Sequence, residues 1–131
     1  MSVDYVERAR ALVGVPFKPQ GRDPELGLDC VGLTLEVFGI RGADIRRSYR
    51  LRGNRQDEIE GGLTGSFRRV SARRPGDLVL LAVAADQLHF AVLTNRGFVH
   101  ADARLRRVVE TPGEPRWPVI GIFRKRARRK G

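Results

Sequence analysis

The sequence predicts an α+β domain, with helices in its first half and an antiparallel sheet of about five strands in its second. Three observations predict this. Apolar residues recur at helical spacing in two stretches before residue 40. After Arg73-Arg74-Pro75-Gly76-Asp77 the pattern changes to strand-length apolar runs separated by turn residues. The chain has 131 residues, enough for one domain with one real core. Helices first and a strand meander after them segregate rather than alternate, which is the α+β pattern.

Taken in order, residues 3–13 form the first expected helix. Val3, Val6, Ala9, Leu12 and Val13 make its apolar stripe, with Glu7, Arg8 and Arg10 outside. Gly14 ends it and Pro16 forbids continuation. Residues 17–28 are rich in Pro, Gly and charge and are expected to be a loop. Asp29 is an N-cap residue, and Val31, Leu33, Leu35, Val37 and Phe38 continue at helical spacing, so a second helix starts at Cys30 and ends near Gly39 or Gly42. Residues 43–65 carry weaker signals. Ile45 and Tyr49 are four apart and mark a turn or two of helix, and residues 56–60 begin another that Gly61-Gly62 should stop.

Residues 67–70 are expected to be extended. Residues 78–83 are a continuous apolar run, so both faces of that strand should be buried. Residues 89–94 and 98–102 follow as strands, joined by a hairpin at Asn95-Arg96-Gly97. Residues 106–110 and 117–123 complete the five, with Pro112-Gly113-Glu114-Pro115 between them. The domain is expected over 1–123, followed by a basic tail over 124–131.

The formal net charge is +10, from 25 basic and 15 acidic residues. Six of the basic residues lie in the last eight positions; without them 19 face 15, and the body is only mildly basic. A solvated end is the simple reading of the tail, and an acidic polymer or an acidic protein face is the partner its charge suits. No aromatics are interleaved with it, which argues against specific nucleic-acid binding. No run of about 18 apolar residues is present, so no membrane span is expected. The first residues lack a basic segment followed by an apolar run, so no secretory signal is expected. A single cysteine excludes an internal disulfide.

That cysteine carries the chemistry. At a helix start the unpaired N–H groups and the positive end of the helix dipole favour an anion, so Cys30 is expected to have a lowered pKa and to act as a thiolate nucleophile. The bland alternative is a small buried core residue. The chain's two histidines add to the first reading. If Asn95-Arg96 is a two-residue turn, Thr94 faces Gly97 and His100 falls opposite Ala91, two residues from His89. Both imidazoles then share one sheet face as diagonal neighbours about 7 Å apart. A three-residue turn places them on opposite faces. On a shared face Cys30 attacks, His89 is the general base and acid, and His100 orients it, with Asp102 in reserve. A zinc site of Cys30, His89, His100 and Asp102 is the rival use, but no pair has the short spacing of common zinc sites, so no metal and no cofactor are expected.

In this order, Gly14-Val15-Pro16-Phe17, Gly27-Leu28-Asp29-Cys30-Val31-Gly32-Leu33, Pro75-Gly76-Asp77-Leu78-Val79, His89-Phe90-Ala91-Val92-Leu93 and Phe98-Val99-His100-Ala101 resemble the NlpC-type cell-wall cysteine peptidases, a papain-like family. Gln20-Gly21-Arg22-Asp23-Pro24 is similar to the short members encoded with phage tails and gene transfer agents. The resemblance implies a papain-like fold and a cysteine peptidase that cuts the peptidoglycan stem peptide at the D-glutamyl–diamino acid bond. It implies a tail-tip or baseplate component that opens the wall during DNA delivery, made in the cytoplasm and acting in the periplasm, with tail-tip proteins as partners. Cys30 matches the nucleophile, His89 the base and His100 the third residue, and Asp29, Arg22 and Phe17 are the substrate-binding candidates. The chain departs from the family in two places. Phe17 stands where many members have tyrosine, and Val31 stands where many have serine. The competing readings are a catalytically silent tail-tip adaptor, and an acyltransferase or amidase with the same Cys–His site.

Overall fold

The computed structural model describes residues 3–40, 56–85 and 87–127. The expected turn at Ile45 and Tyr49, and the end of the basic tail, lie outside them. The order of elements is α1 (Tyr5–Ala11), β1 (Arg22–Asp23), β2 (Gly27–Leu28), α2 (Cys30–Phe38), α3 (Gln56–Leu63), β3 (Phe67–Val70), β4 (Leu78–Ala84), β5 (Gln87–Leu93), β6 (Gly97–Asp102), β7 (Arg107–Pro112) and β8 (Val119–Lys125). The main sheet has six strands in the order β3-β8-β4-β5-β6-β7, and the pairings are antiparallel. The sixth strand is β3, which docks on β8. Among the described residues, no helix is long and apolar enough to cross a membrane.

Helix α1 is shorter than its apolar stripe predicts. The Asp4 carboxylate accepts the Glu7 N–H at 3.0 Å and fixes the start, and Gly14 at φ 97 turns the chain away at the other end. Val3 and Val13, expected on the inner face, are each 45% exposed. The segment expected as a plain loop holds the β1–β2 hairpin, with Phe17 bridged to Leu28 and Pro16 to Arg107. Leu28 is fully buried, and that anchors an otherwise polar stretch.

Helix α2 is the central element. It is buried almost all round, with only Glu36 fully exposed. Gly39, left-handed at φ 64, ends it, and its N–H and that of Ile40 bond to the Leu35 carbonyl. Helix α3 runs through Gly61-Gly62 instead of stopping there. The two glycines cost roughly 1 kcal/mol each. Ile59 and Leu63, four apart and buried on the core, each contribute roughly 1.5–3 kcal/mol, so packing wins.

Strand β4 is buried on both faces from Leu78 to Leu81, as its unbroken apolar run predicts, and it lies between β8 and β5. Its neighbour Asp77 is also buried. The Asp77 carboxylate accepts a two-pronged bond from Arg124, Nε at 2.9 Å and Nη2 at 2.8 Å, and the Arg74 N–H at 2.8 Å. Arg124 and Lys125 therefore belong to β8, paired with Arg68 and Phe67, two residues past the expected start of the tail. The last two sheet strands shift late. Arg106, at φ 61, is the turn before β7, and Trp117 lies in the connection ahead of β8.

Candidate active site

The β5–β6 hairpin has the two-residue turn that the chemistry requires. The Thr94 N–H bonds to the Gly97 carbonyl at 2.9 Å, and the ladder pairs Leu93 with Phe98 and Val92 with Val99. The β5–β6 ladder ends there. A cavity of about 630 Å³ lies where it ends, lined by Leu88 and His89 of β5 and by His100, Ala101 and Asp102 of β6. The start of α2 supplies Asp29, Cys30 and Val31, and Phe17, Gln20, Gln87, Arg104 and Trp117 complete much of the rim. Cys30, His89 and His100, far apart along the chain, thus line one cavity. Cys30 packs in the helix-side cluster with Phe90, whereas His89 and His100 contact Trp117, which belongs to the cluster on the other face. The gap between the parted strands is where the two sides meet.

Position 30 is fixed by backbone geometry. The Asp29 carboxylate accepts the Gly32 N–H at 2.8 Å, and its carbonyl accepts the Leu33 N–H at 2.8 Å. The Cys30 and Val31 N–H groups are the remaining donors of the first turn. The Cys30 carbonyl accepts the Thr34 hydroxyl at 2.8 Å. A side chain at Gly32 would collide with the Gly21 carbonyl, so the helix start rests backbone to backbone on the loop before it.

The thiol departs from the sequence expectation. Cys30 is only 8% exposed, and burial pushes its pKa up from 9.0 to about 12. The Phe90 backbone N–H and Arg22 work in the other direction, and the Asp29 charge adds to the rise. Desolvation of the anion outweighs the helix-start N–H groups. His89 moves the opposite way. Desolvation, then the charge on His100, lower it from 6.5 to about 3, against a smaller upward pull from Asp102. At rest the site holds a neutral thiol and a neutral imidazole.

His89 Nε2 and His100 Nδ1 are 3.0 Å apart, with the rings nearly perpendicular at 84°. His100 is buried, which lowers its pKa, while Asp102 raises it. His89 Nε2 is committed to His100, which leaves Nδ1 as its second ring nitrogen. The two imidazoles lie side by side, as the even turn predicts, although the ladder itself stops at Val92 and Val99.

Of the substrate-binding candidates, Phe17 and Asp29 line the cavity and Arg22 does not. Arg22 donates to Asp29 Oδ1 at 2.7 Å and to the Gly21 carbonyl at 2.9 Å. With the Gln20 N–H at 3.0 Å on Oδ2, the Asp29 carboxylate is held by three donors. It is a structural anion more than an open ligand site. Trp117 is the residue that sequence reasoning placed in a strand and left without a role. Its ring centroid lies 6.2 Å from that of His89 and 6.0 Å from that of His100, where it helps to keep both imidazoles dry. The signal was present: a lone tryptophan between Pro115 and Pro118 in a polar connector.

No family model matches the sequence, and no curated protein matches it. Solved structures do. The NlpC/p60 domain of the peptidoglycan hydrolase SagA is 26% identical, with a TM-score of 0.58, over 83% of this chain and 86% of that one. The peptidoglycan hydrolase RipB of Mycobacterium tuberculosis is 21% identical, with a TM-score of 0.61, over 92% of this chain and 62% of its own. The P60 domain of an antigen of M. avium subspecies paratuberculosis is 19% identical, with a TM-score of 0.58, over 92% and 90%. The chain has the papain-like α+β fold, and its solved neighbours are NlpC/p60 peptidoglycan hydrolase domains.

Proposed function

We propose that this protein is an NlpC-type cysteine endopeptidase that cuts the stem peptide of peptidoglycan at the D-glutamyl–diamino acid bond. The observation that carries the reading is the shared cavity, with Cys30 at a helix start and His89 held through its far nitrogen by His100. Cys30 Sγ bonds to the scissile carbonyl carbon as its proton passes to His89 Nδ1. The oxyanion that forms is met by the Cys30 and Val31 N–H groups. Collapse breaks the C–N bond, His89 returns the proton to the leaving amine, and a thioester remains. Water then attacks the thioester, gives its proton to His89, and the thiol regains it as the acid departs. Because the resting pair is neutral, the first proton transfer is coupled to bond formation rather than completed beforehand.

The particle role belongs to the same proposal. The similarity of the segment 20–24 to tail-encoded members supports a component of a phage-like tail tip that acts on the wall in the periplasm beside other baseplate proteins. The buried, protonated thiol is the observation that favours a second reading, a silent structural adaptor with the same fold.

Incubating purified protein with peptidoglycan and identifying the fragments by mass spectrometry separates the readings. New free amines on the diamino acid, lost in Cys30→Ala, are expected. Intact stem peptides in the presence of a folded protein would favour the adaptor, and transfer to an added amine acceptor would favour the acyltransferase.

A further inference from the structure

We propose that Asp102 is a positioning residue that sets the tautomer of both imidazoles, so that the one nitrogen able to take the thiol proton is left empty. The inference rests on the peptidase reading of the Cys30 site, but its test does not require turnover.

One proton lies between His89 Nε2 and His100 Nδ1, which are 3.0 Å apart. If it belongs to His89, then His89 Nδ1 carries a lone pair and can act as a base. The proton of His100 is then on Nε2. If it belongs to His100, the proton of neutral His89 is on Nδ1, and the base is lost. The two arrangements differ at His100 Nε2, so whatever faces that atom decides between them.

Two groups face it. The Thr111 hydroxyl is 3.5 Å away, and a hydroxyl accepts or donates equally well, so it does not choose. Asp102 Oδ2 is 3.8 Å away, too long for a hydrogen bond but close enough for a charge to act in a buried setting. A carboxylate only accepts, and it favours N–H over a lone pair. Asp102 is also held in place. Its Oδ1 accepts the N–H groups of Arg104 and Leu105 at 2.8 and 3.1 Å, which leaves Oδ2 for His100. The carboxylate thus closes the turn after β6 with one oxygen and polarises the imidazole chain with the other. Its upward pull on the proton affinity of both histidines agrees with this.

The chain has only two histidines, so long-range proton–nitrogen NMR of the uniformly labelled full-length protein reads both tautomers, with one His100→Asn sample for assignment. The expected wild-type result at neutral pH is an Nε2–H pattern on both rings. An Nδ1–H pattern on His89 would overturn the proposal without any variant. Asp102→Asn is the decisive substitution. Its amide oxygen can still close the turn, but its NH₂ group donates towards His100 and reverses the preference. We expect both rings to move to Nδ1–H, with kcat down by about 10²-fold or more and KM little changed. Asp102→Glu should keep the wild-type tautomers. If Asp102→Asn leaves both rings as Nε2–H, Asp102 only shapes the turn and the inference fails. If the protein cleaves no peptidoglycan yet the tautomers switch, the peptidase reading fails and the tautomer control stands.

Discussion

The two ends of the β5–β6 pair share the same backbone and serve opposite purposes. At the turn end, Thr94 Oγ1 accepts the Arg96 and Gly97 N–H groups at 3.1 and 2.9 Å and donates to Glu110 at 2.8 Å. Arg10 clamps the same carboxylate and reaches Asn95 at 2.6 Å. Opposite charges meet there, and Glu110 is held below the usual carboxylate range, chiefly by its bond to Arg10, which outweighs its desolvation. At the parted end, His89 and His100 bond to each other, Cys30 meets the Phe90 backbone, and burial disfavours the charged form of all three. Strength lies where charges are paired in reach of water. At the parted end the polar groups are buried, and desolvation sets their proton affinities.

The largest effects should come from the parted end. Cys30→Ala and His89→Ala should each lower peptidoglycan cleavage by about 10⁴-fold while the unfolding midpoint changes little, measured by fragment release and denaturant titration. A second effect concerns the thiol. At neutral pH, Cys30 should react with iodoacetamide roughly a hundredfold more slowly in the folded protein than in denaturant, gaining speed only at alkaline pH. The sequence alone predicts fast alkylation below the ordinary thiol range, and that result would show the helix start prevailing over burial.

The contest between burial and the helix start shows what the sequence could and could not reveal. The helix start at Asp29-Cys30, the even turn at Asn95-Arg96 and the strand at residues 78–83 are local patterns; the first two appear where predicted, and the strand is buried on both faces through Leu81 but only partly at Ala82 and Val83. The turn length predicts that the two histidines share a face, and they meet there beyond the last ladder pair, Val92 with Val99. Burial of the thiol is not a local pattern. It depends on Phe90 and on the way the start of α2 rests on Gly21, contacts that only the assembled fold creates. Arg22 is a substrate-binding candidate by resemblance, and the β1–β2 hairpin turns it onto Asp29, a contact the local sequence does not announce. Helix α3 ran on through two glycines because the value of Ile59 and Leu63 depends on a core the local sequence does not contain.

Smaller effects sharpen the comparison. Gly32→Ala should destabilise by about 1–3 kcal/mol and lower activity with it, since its methyl group meets the Gly21 carbonyl. His89 has a lowered pKa, so the unfolded chain binds a proton that the folded protein refuses. Stability should therefore fall as the pH drops from about 6.5 towards 3, with a shallower slope in His89→Ala, measured by urea midpoints. Glu110→Ala, at the turn end, should cost only about 1 kcal/mol and leave cleavage per folded molecule unchanged. Because Glu110 has a lowered pKa, its contribution is present above the usual carboxylate range and is lost as the pH falls through it.

The most direct test is to catch the intermediate. Wild-type protein quenched with acid during digestion of stem peptide should yield a Cys30 peptide carrying the amino-terminal half of the substrate as a hydroxylamine-labile thioester. Cleavage that proceeds with Cys30 unmodified, and that persists in Cys30→Ala, would contradict the account.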